Sequence, residues 1–102
     1  WNVQVISSII DFGLNVQEAA EAPRWVSSPG TDPHTVNQPF KVQLEGGMPE
    51  NVVEDLRRRG HTMGEYPKGT FPGAVQLIMV DEKSGVRIGG SDPRADGHAA
   101  AT

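Results

Sequence analysis

Cysteine is absent from this chain of 102 residues, which excludes disulfide bonds and thiol catalysis and leaves the redox compartment undetermined. Basic residues are few, since nine Lys and Arg stand against 13 Asp and Glu for a formal net charge of −4. Binding to nucleic acid or to an anionic membrane needs a basic patch, so the composition argues against both partners. No apolar run approaches the roughly 20 residues of a membrane-spanning helix, and we expect no membrane contact by this segment.

Histidine is also scarce. His34, His61 and His98 are spaced neither as two ligands on one helix face nor as a zinc motif. Asp92 and Asp96 resemble part of a calcium loop, but the glutamate that completes such a loop is missing. The sequence therefore predicts no metal site and no cofactor.

The Trp-Asn start has neither Met nor the charged region of a signal peptide. We expect these residues to come from the middle of a longer polypeptide. The length fits one domain, or a fragment of one, spanning residues 1–102.

The N-terminal segment allows two interpretations. Val5, Ile6, Ile9 and Ile10 have the spacing of a buried helix face, whereas the β-branched content of residues 1–12 favours a strand. We prefer a helix from about residue 3, because a glycine at position 13 supplies a usual helix stop.

A second, short helix is predicted over residues 16–21. Asn15 and Glu18 have the spacing of a capping box, and Pro23 ends the helix because the residue before a proline avoids the α region. The turn-forming composition of residues 27–38 predicts a long loop.

A strand, a helix and a hairpin follow. Residues 40–45 alternate between apolar and polar and predict a half-buried strand, while residues 49–59 predict a helix with Pro49 in its first position. Residues 61–66 suggest a short strand. The apolar run 74–80 predicts a strand covered on both faces, returning after a five-residue turn as a second strand. The order α, α, β, α, β, β, β indicates an α+β fold with layered packing.

No self-contained catalytic set is visible. Gly89-Gly90-Ser91 is not the G-x-S-x-G motif, so an isolated serine nucleophile is not supported. Arg24 and Arg94 each follow a proline, which holds them in a rigid setting. Each arginine is suited either to a structural ion pair or carbonyl cap, which we favour, or to clamping a substrate carboxylate.

Several stretches resemble the C-terminal part of the γ-glutamyltransferase family, also called γ-glutamyltranspeptidase or glutathione hydrolase. Residues 5–19 read VISSIIDFGLNVQEA and run into EAPRW at 21–25. Residues 48–56 read MPENVVEDL, with RGH at 59–61. The most specific stretch is GGSDPRADG at 89–97. The similarity covers the whole chain in the same order.

The resemblance implies part of an N-terminal nucleophile hydrolase fold, a four-layer αββα sandwich. It further implies a precursor that cleaves itself into a large and a small subunit. The threonine freed at the small subunit's N-terminus attacks the substrate, with its own α-amine as the base. The family transfers a γ-glutamyl group from glutathione or related amides to an amino acid, a dipeptide or water. Compartments known for the family are periplasmic, secreted or membrane-tethered.

The same resemblance places the threonine, the oxyanion-binding glycines and the main glutamate-binding residues before residue 1. The arginine for the substrate α-carboxylate lies in the large subunit. We therefore assign no catalytic and no substrate-binding residue here. Arg24, Asp92 and Arg94 receive a supporting role, bracing the core beneath the site. The expected partners are the rest of the enzyme, namely the upstream small-subunit part and the large subunit, and a γ-glutamyl substrate.

Two alternatives remain beside this interpretation. One is a freestanding, non-catalytic binding or interaction module, which should be a monomeric, cooperatively folding chain with a defined surface ligand. The other is a related acylase with a different amide substrate. A piece of a larger enzyme should instead expose strand edges and apolar surface, and the 102 residues alone should be inactive.

Overall fold

The structure is a computed structural model that describes residues 1–30, 33–35 and 37–100. None of the helices in this part of the chain is long and apolar enough to cross a membrane. The described residues form three helices and five strands: α1 (Asn2–Ile10), α2 (Val16–Glu21), β1 (Trp25–Ser28), β2 (Lys41–Glu45), α3 (Glu50–Arg58), β3 (Met63–Tyr66), β4 (Gln76–Val80) and β5 (Arg87–Ser91).

Two compact units divide the chain. The hairpin unit consists of Trp1–Ala22 together with the segment that begins at Pro72, and the βαβ unit consists of Pro23–Phe71. The mixture of helices and strands confirms the predicted α+β class, but the order is α, α, β, β, α, β, β, β, with one strand more than the sequence predicted.

The two helices of the hairpin unit form as the sequence predicted. α1 ends at Ile10, and Gly13 takes a φ of +72° just beyond it. The side chain of Asn15 accepts hydrogen bonds from the backbone N–H groups of Gln17 and Glu18, while the Glu18 carboxylate accepts one from the Asn15 N–H. This capping box satisfies backbone donors that the first turn of a helix leaves free.

β4 and β5 form the predicted antiparallel hairpin, in the register Gln76↔Ser91 to Val80↔Arg87. The expectation that β4 is covered on both faces is wrong for this chain. Ile78 is 76% exposed and Val80 is 53% exposed. The physical reason is that β5 is the one strand that pairs with β4 among the described residues, so the two strands make a sheet too narrow to bury its own apolar side chains.

In the βαβ unit, β2 pairs antiparallel with β1 and parallel with β3, and α3 connects the two parallel strands. β1 corrects the sequence analysis, which placed residues 27 and 28 in a loop that ran from 27 to 38. Trp25–Ser28 lies in register with Leu44 back to Lys41, so its order comes from a partner strand far along the chain. Thr31, Asp32 and Val36 of the predicted loop lie outside the described residues.

α3 is a marginally packed amphipathic helix. The sequence predicted Pro49 as the first residue of the helix. Its ψ of 133° is extended, so Pro49 is the N-cap and α3 begins at Glu50. Gly60 takes a φ of +91° and stops the helix as expected. No residue of α3 is buried.

Candidate functional site

The S-D-P-R segment after β5 contains a buried ion pair. The guanidinium Nη1 of Arg94 donates to the Asp92 carboxylate at 2.9 Å, and the exposed fractions of the two side chains are 5% and 0%. The Arg94 backbone N–H donates to the same carboxylate oxygen, and the Val75 N–H donates to the other at 2.9 Å. Because Pro93 fixes the backbone between them, the two side chains meet without a long loop closure.

Arg94 also holds the end of α2. Its guanidinium donates to the carbonyl oxygens of Ala20 at 2.9 Å, Ala22 at 3.1 Å and Glu21 at 3.5 Å. These carbonyls have no helical partner of their own at a helix C-terminus. Such contacts are those of the ion pair and carbonyl cap that the sequence analysis favoured for this arginine.

Two further contacts join α2 to β5, and the sequence analysis missed both. The Gln17 side-chain amide donates to the Ser91 carbonyl at 2.9 Å and accepts from the Ser91 N–H at 3.0 Å, as a neighbouring strand would. A Cβ on Gly90 would lie 2.7 Å from the Val16 carbonyl oxygen, so only glycine lets α2 approach β5 this closely. The adjacent glycines of the sequence were the available signal for a close backbone approach.

Arg24 lies in the βαβ unit, just before β1, and is buried. Its backbone N–H donates to the Glu45 carboxylate at 3.2 Å, and its carbonyl accepts from the Glu45 N–H at 2.8 Å. The other oxygen of Glu45 accepts from the Gly69 N–H at 3.0 Å. Glu45, which is 1% exposed, thereby ties three segments of this unit together.

Sequence reasoning missed Glu45 for a definite reason. Strand alternation assigned it to the polar face of β2 with Lys41 and Gln43, but the last two residues of β2 are both buried. The structure thus brings Asp92 and Arg94 together in the hairpin unit, while Arg24 with Glu45 belongs to the βαβ unit. The prediction that Arg24, Asp92 and Arg94 brace an active site stays a prediction.

Two partly exposed carboxyl groups, those of Asp55 and Asp81, have a lowered pKa. Hydrogen bonds from Arg59 and then Arg58 lower the pKa of Asp55 on α3. The hydroxyl of Ser84 and then the N–H of Lys83 lower the pKa of Asp81 in the β4–β5 turn. Both shifts arise from local structure, at a helix end and in a turn. In residues 1–30, 33–35 and 37–100, no group of three or more His, Cys, Asp or Glu side chains could hold a metal ion.

Comparison with known proteins identifies the family. The sequence model described as Gamma-glutamyltranspeptidase matches residues 1–102. The chain is 31% identical over 99 residues to the glutathione hydrolase-like YwrD proenzyme of Bacillus subtilis, covering 93% of this chain and 17% of that protein. It is 32% identical over 95 residues to the Acylase ACY 1 proenzyme of Pseudomonas sp. (strain V22), covering 93% of this chain and 15% of that protein.

A solved structure of an acylase is similar to this chain as well. The cephalosporin acylase from Bacillus halodurans superposes with a TM-score of 0.82 at 36% identity, over 99% of this chain and 17% of that chain. The chain thus spans about one-sixth of the length of the curated relatives it matches, at 17% and 15%. Its α+β fold is part of the N-terminal nucleophile hydrolase fold that these enzymes share. The family match over its whole length shows that this chain belongs to the γ-glutamyltranspeptidase family.

Proposed function

We propose that this chain is a scaffold portion of an enzyme that transfers or hydrolyses γ-glutamyl groups of glutathione and related amides. The observation that carries the proposal is the family match over residues 1–102. The relatives are proenzymes of which this chain corresponds to 15–17%, so the partners are the remaining parts of the same enzyme, an upstream small-subunit part and a large subunit.

In the proposed reaction, the groups that form and break bonds lie outside these 102 residues. A threonine hydroxyl at a chain terminus attacks the γ-glutamyl amide carbonyl, and its α-amine takes the hydroxyl proton and passes it to the leaving amine. The acyl-enzyme ester is then attacked by an amine acceptor or water, which restores the threonine. Backbone N–H groups stabilise the negative oxygen in both steps. The buried carboxylates of Asp92 and Glu45 accept hydrogen bonds from backbone N–H groups. This is a structural use of both groups, and it supports placing the catalytic groups in other parts of the enzyme.

The chain's own contribution is positional. Arg94 joins the end of α2 to the residues after β5, and Glu45 joins the residues around Arg24 and Gly69. A catalytic group misplaced by about 1 Å can cost on the order of a hundredfold in rate. In this proposal Asp92 and Arg94 brace the hairpin unit and Arg24 braces the βαβ unit, so that all three have a supporting role and the reacting groups come from other parts of the enzyme.

Exposed apolar side chains on the β4–β5 hairpin support an enzyme portion over a freestanding module. Ile78 and Val80 lie on one face of the hairpin, with Ile78 76% exposed, and Ile88 lies on the other face beside Met79. Val86, just before β5, is exposed as well. Among the described residues β4 and β5 pair only with each other, so the sheet is too narrow to cover these side chains. A freestanding soluble module would not be expected to expose this much apolar surface.

The test is to express the complete gene that encodes this chain and to assay the purified protein with γ-glutamyl-p-nitroanilide, with and without a dipeptide acceptor. We expect self-cleavage into two chains and release of p-nitroaniline, while residues 1–102 alone release none. A variant with Ala in place of the nucleophilic threonine is the control and should neither cleave nor react. Turnover by residues 1–102 alone would overturn the assignment of the chemistry to other residues.

An acylase acting on a different amide is the second candidate, favoured by the similarity to the cephalosporin acylase structure at 36% identity. The same preparation should be assayed with an acylated cephalosporin beside the γ-glutamyl anilide. Hydrolysis of the cephalosporin side-chain amide without action on the anilide would replace the first function with the second. Folded, self-cleaved protein inactive on both substrates would contradict both.

A further inference from the structure

A cavity of about 230 Å³ lies within the βαβ unit, between α3 and the strands β2 and β3. Ligand pockets for drug-sized molecules usually occupy about 300–1,000 Å³, so this one suits a single small metabolite. α3 contributes Glu50, Val53 and Arg57 to the lining, and none of its residues is buried. Four apolar side chains line it: Leu44, Met48, Val53 and Met63. The two methionines make this lining adaptable in shape, since their unbranched side chains repack easily.

Charged side chains of both signs line the same cavity. Glu50 and Arg57 of α3 form an ion pair at 3.5 Å, with exposed fractions of 74% and 57%. Glu65 of β3 is exposed and also lines the cavity. An exposed ion pair contributes at most about 1 kcal/mol to stability. Breaking the pair between Glu50 and Arg57, so that each side chain can bind a ligand, therefore costs little.

One residue of the lining is anchored within the unit. Glu45 lines the cavity, is buried, and has its carboxylate held by the N–H groups of Arg24 and Gly69. The cavity therefore combines an anchored strand end, apolar side chains and a rim with separate positive and negative groups.

We propose that this cavity binds a free apolar α-amino acid as its zwitterion. The ligand's ammonium group pairs with the carboxylates of Glu50 and Glu65, and its carboxylate pairs with the guanidinium of Arg57, which offers a planar fork of donors. Its aliphatic side chain packs against Met48, Val53 and Met63. The proposal does not depend on the reaction of the whole enzyme.

The methionines provide the readout. The complete enzyme, labelled with carbon-13 at methionine methyl groups, is titrated with L-leucine, and the signals of Met48 and Met63 are assigned with Met48→Leu and Met63→Leu variants. We expect both signals to shift in a saturable way, while the signal of Met79 on β4 stays in place. Isoamylamine lacks the carboxylate of leucine and isocaproate lacks its amine, so each should bind more weakly than leucine.

Matched variants separate the site from general effects on α3. Val53→Trp fills the cavity and should abolish the shifts, whereas Val52→Trp, on the same helix but outside the lining, should keep them. Arg57→Gln should weaken leucine binding about fivefold, the effect of one rim ion pair. Arg58→Gln removes a neighbouring charge that does not line the cavity and should leave binding unchanged.

Three results would overturn the proposal. The first is that Met48 and Met63 do not respond to leucine at concentrations in the tens of millimolar range. The second is that Arg57→Gln and the wild type bind leucine equally. The third is that isoamylamine shifts both signals as strongly as leucine, which would make the site one for apolar amines.

Discussion

The carboxylate of Asp92 and the guanidinium of Arg94 meet at 2.9 Å in a buried position, two residues apart in the chain. The same carboxylate accepts the backbone N–H of Val75, and the same guanidinium donates to three carbonyls at the end of α2. This pair therefore joins the start of the β4 region, the end of β5 and the end of α2. Neither charge is left without hydrogen-bonding partners, which is the condition under which a buried ion pair is tolerated.

Replacing Arg94 tests that relationship. Arg94→Gln should lower the free energy of unfolding by about 3 kcal/mol or more, because it leaves the Asp92 carboxylate buried without its cation. Arg94→Lys should cost less, since it keeps the charge but loses the fork that reaches the three carbonyls. Thermal or denaturant unfolding of the complete enzyme measures both. Arg87→Gln, at an exposed position on β5, is the matched control and should change stability by less than about 0.5 kcal/mol.

Gly90→Ala tests the contact between α2 and β5. The new Cβ would lie 2.7 Å from the Val16 carbonyl oxygen, a backbone atom that cannot rotate away. We expect a loss of about 1–3 kcal/mol from this overpacking. Gly89→Ala is a useful comparison, because the nearest atom is Ala99 Cβ at 2.7 Å in the irregular C-terminal segment, which can shift. Equal unfolding midpoints for Gly90→Ala and the wild type would contradict the close approach.

Glu45→Ala should destabilise the βαβ unit. It removes the acceptor for the N–H groups of Arg24 and Gly69 and leaves both donors without that partner, at about 1–3 kcal/mol each. Hydrogen exchange at Arg24 and Gly69 should accelerate along with the loss of stability. Glu54→Ala, on the exposed face of α3, is the control. Unchanged exchange at both amides in Glu45→Ala would show that the carboxylate does not anchor them.

Asp55 predicts a pH effect on the end of α3. Hydrogen bonds from Arg59 and Arg58 place its folded-state pKa below the ordinary value. A carboxyl group with a lowered folded pKa stabilises the fold above its unfolded pKa, and that contribution is lost as pH falls through the folded pKa. Fraying of α3 should therefore increase in acid, and NMR titration of the Asp55 side chain measures the midpoint.

The matched control for this effect is Asp55→Asn, which should make the behaviour of the α3 end independent of acid. Because these groups are exposed, added salt should reduce the pKa shift. A titration midpoint at or above the ordinary aspartate value would contradict the assigned hydrogen bonds.

The sequence by itself determined the features that depend on neighbouring residues. The capping box of Asn15 and Glu18, the glycine stops at Gly13 and Gly60, and the β4–β5 hairpin all arise within a few residues of chain. Local backbone preferences and short-range hydrogen bonds settle such elements before any distant contact forms. The G-G-S-D-P-R run also carried the family resemblance, because a rare residue combination is visible without a structure.

Only the tertiary structure decided which distant segments meet. β1 exists because β2 pairs with it, Glu45 is buried because Arg24 and Gly69 surround its carboxylate, and Gln17 reaches Ser91 across 74 positions of sequence. Alternation along a strand cannot reveal these partners, since a polar residue at a strand end looks the same whether it faces water or backbone donors. The tertiary fold determines which polar side chains are buried and must find hydrogen-bond partners within the protein. The periodicity of the sequence does not show where these contacts form.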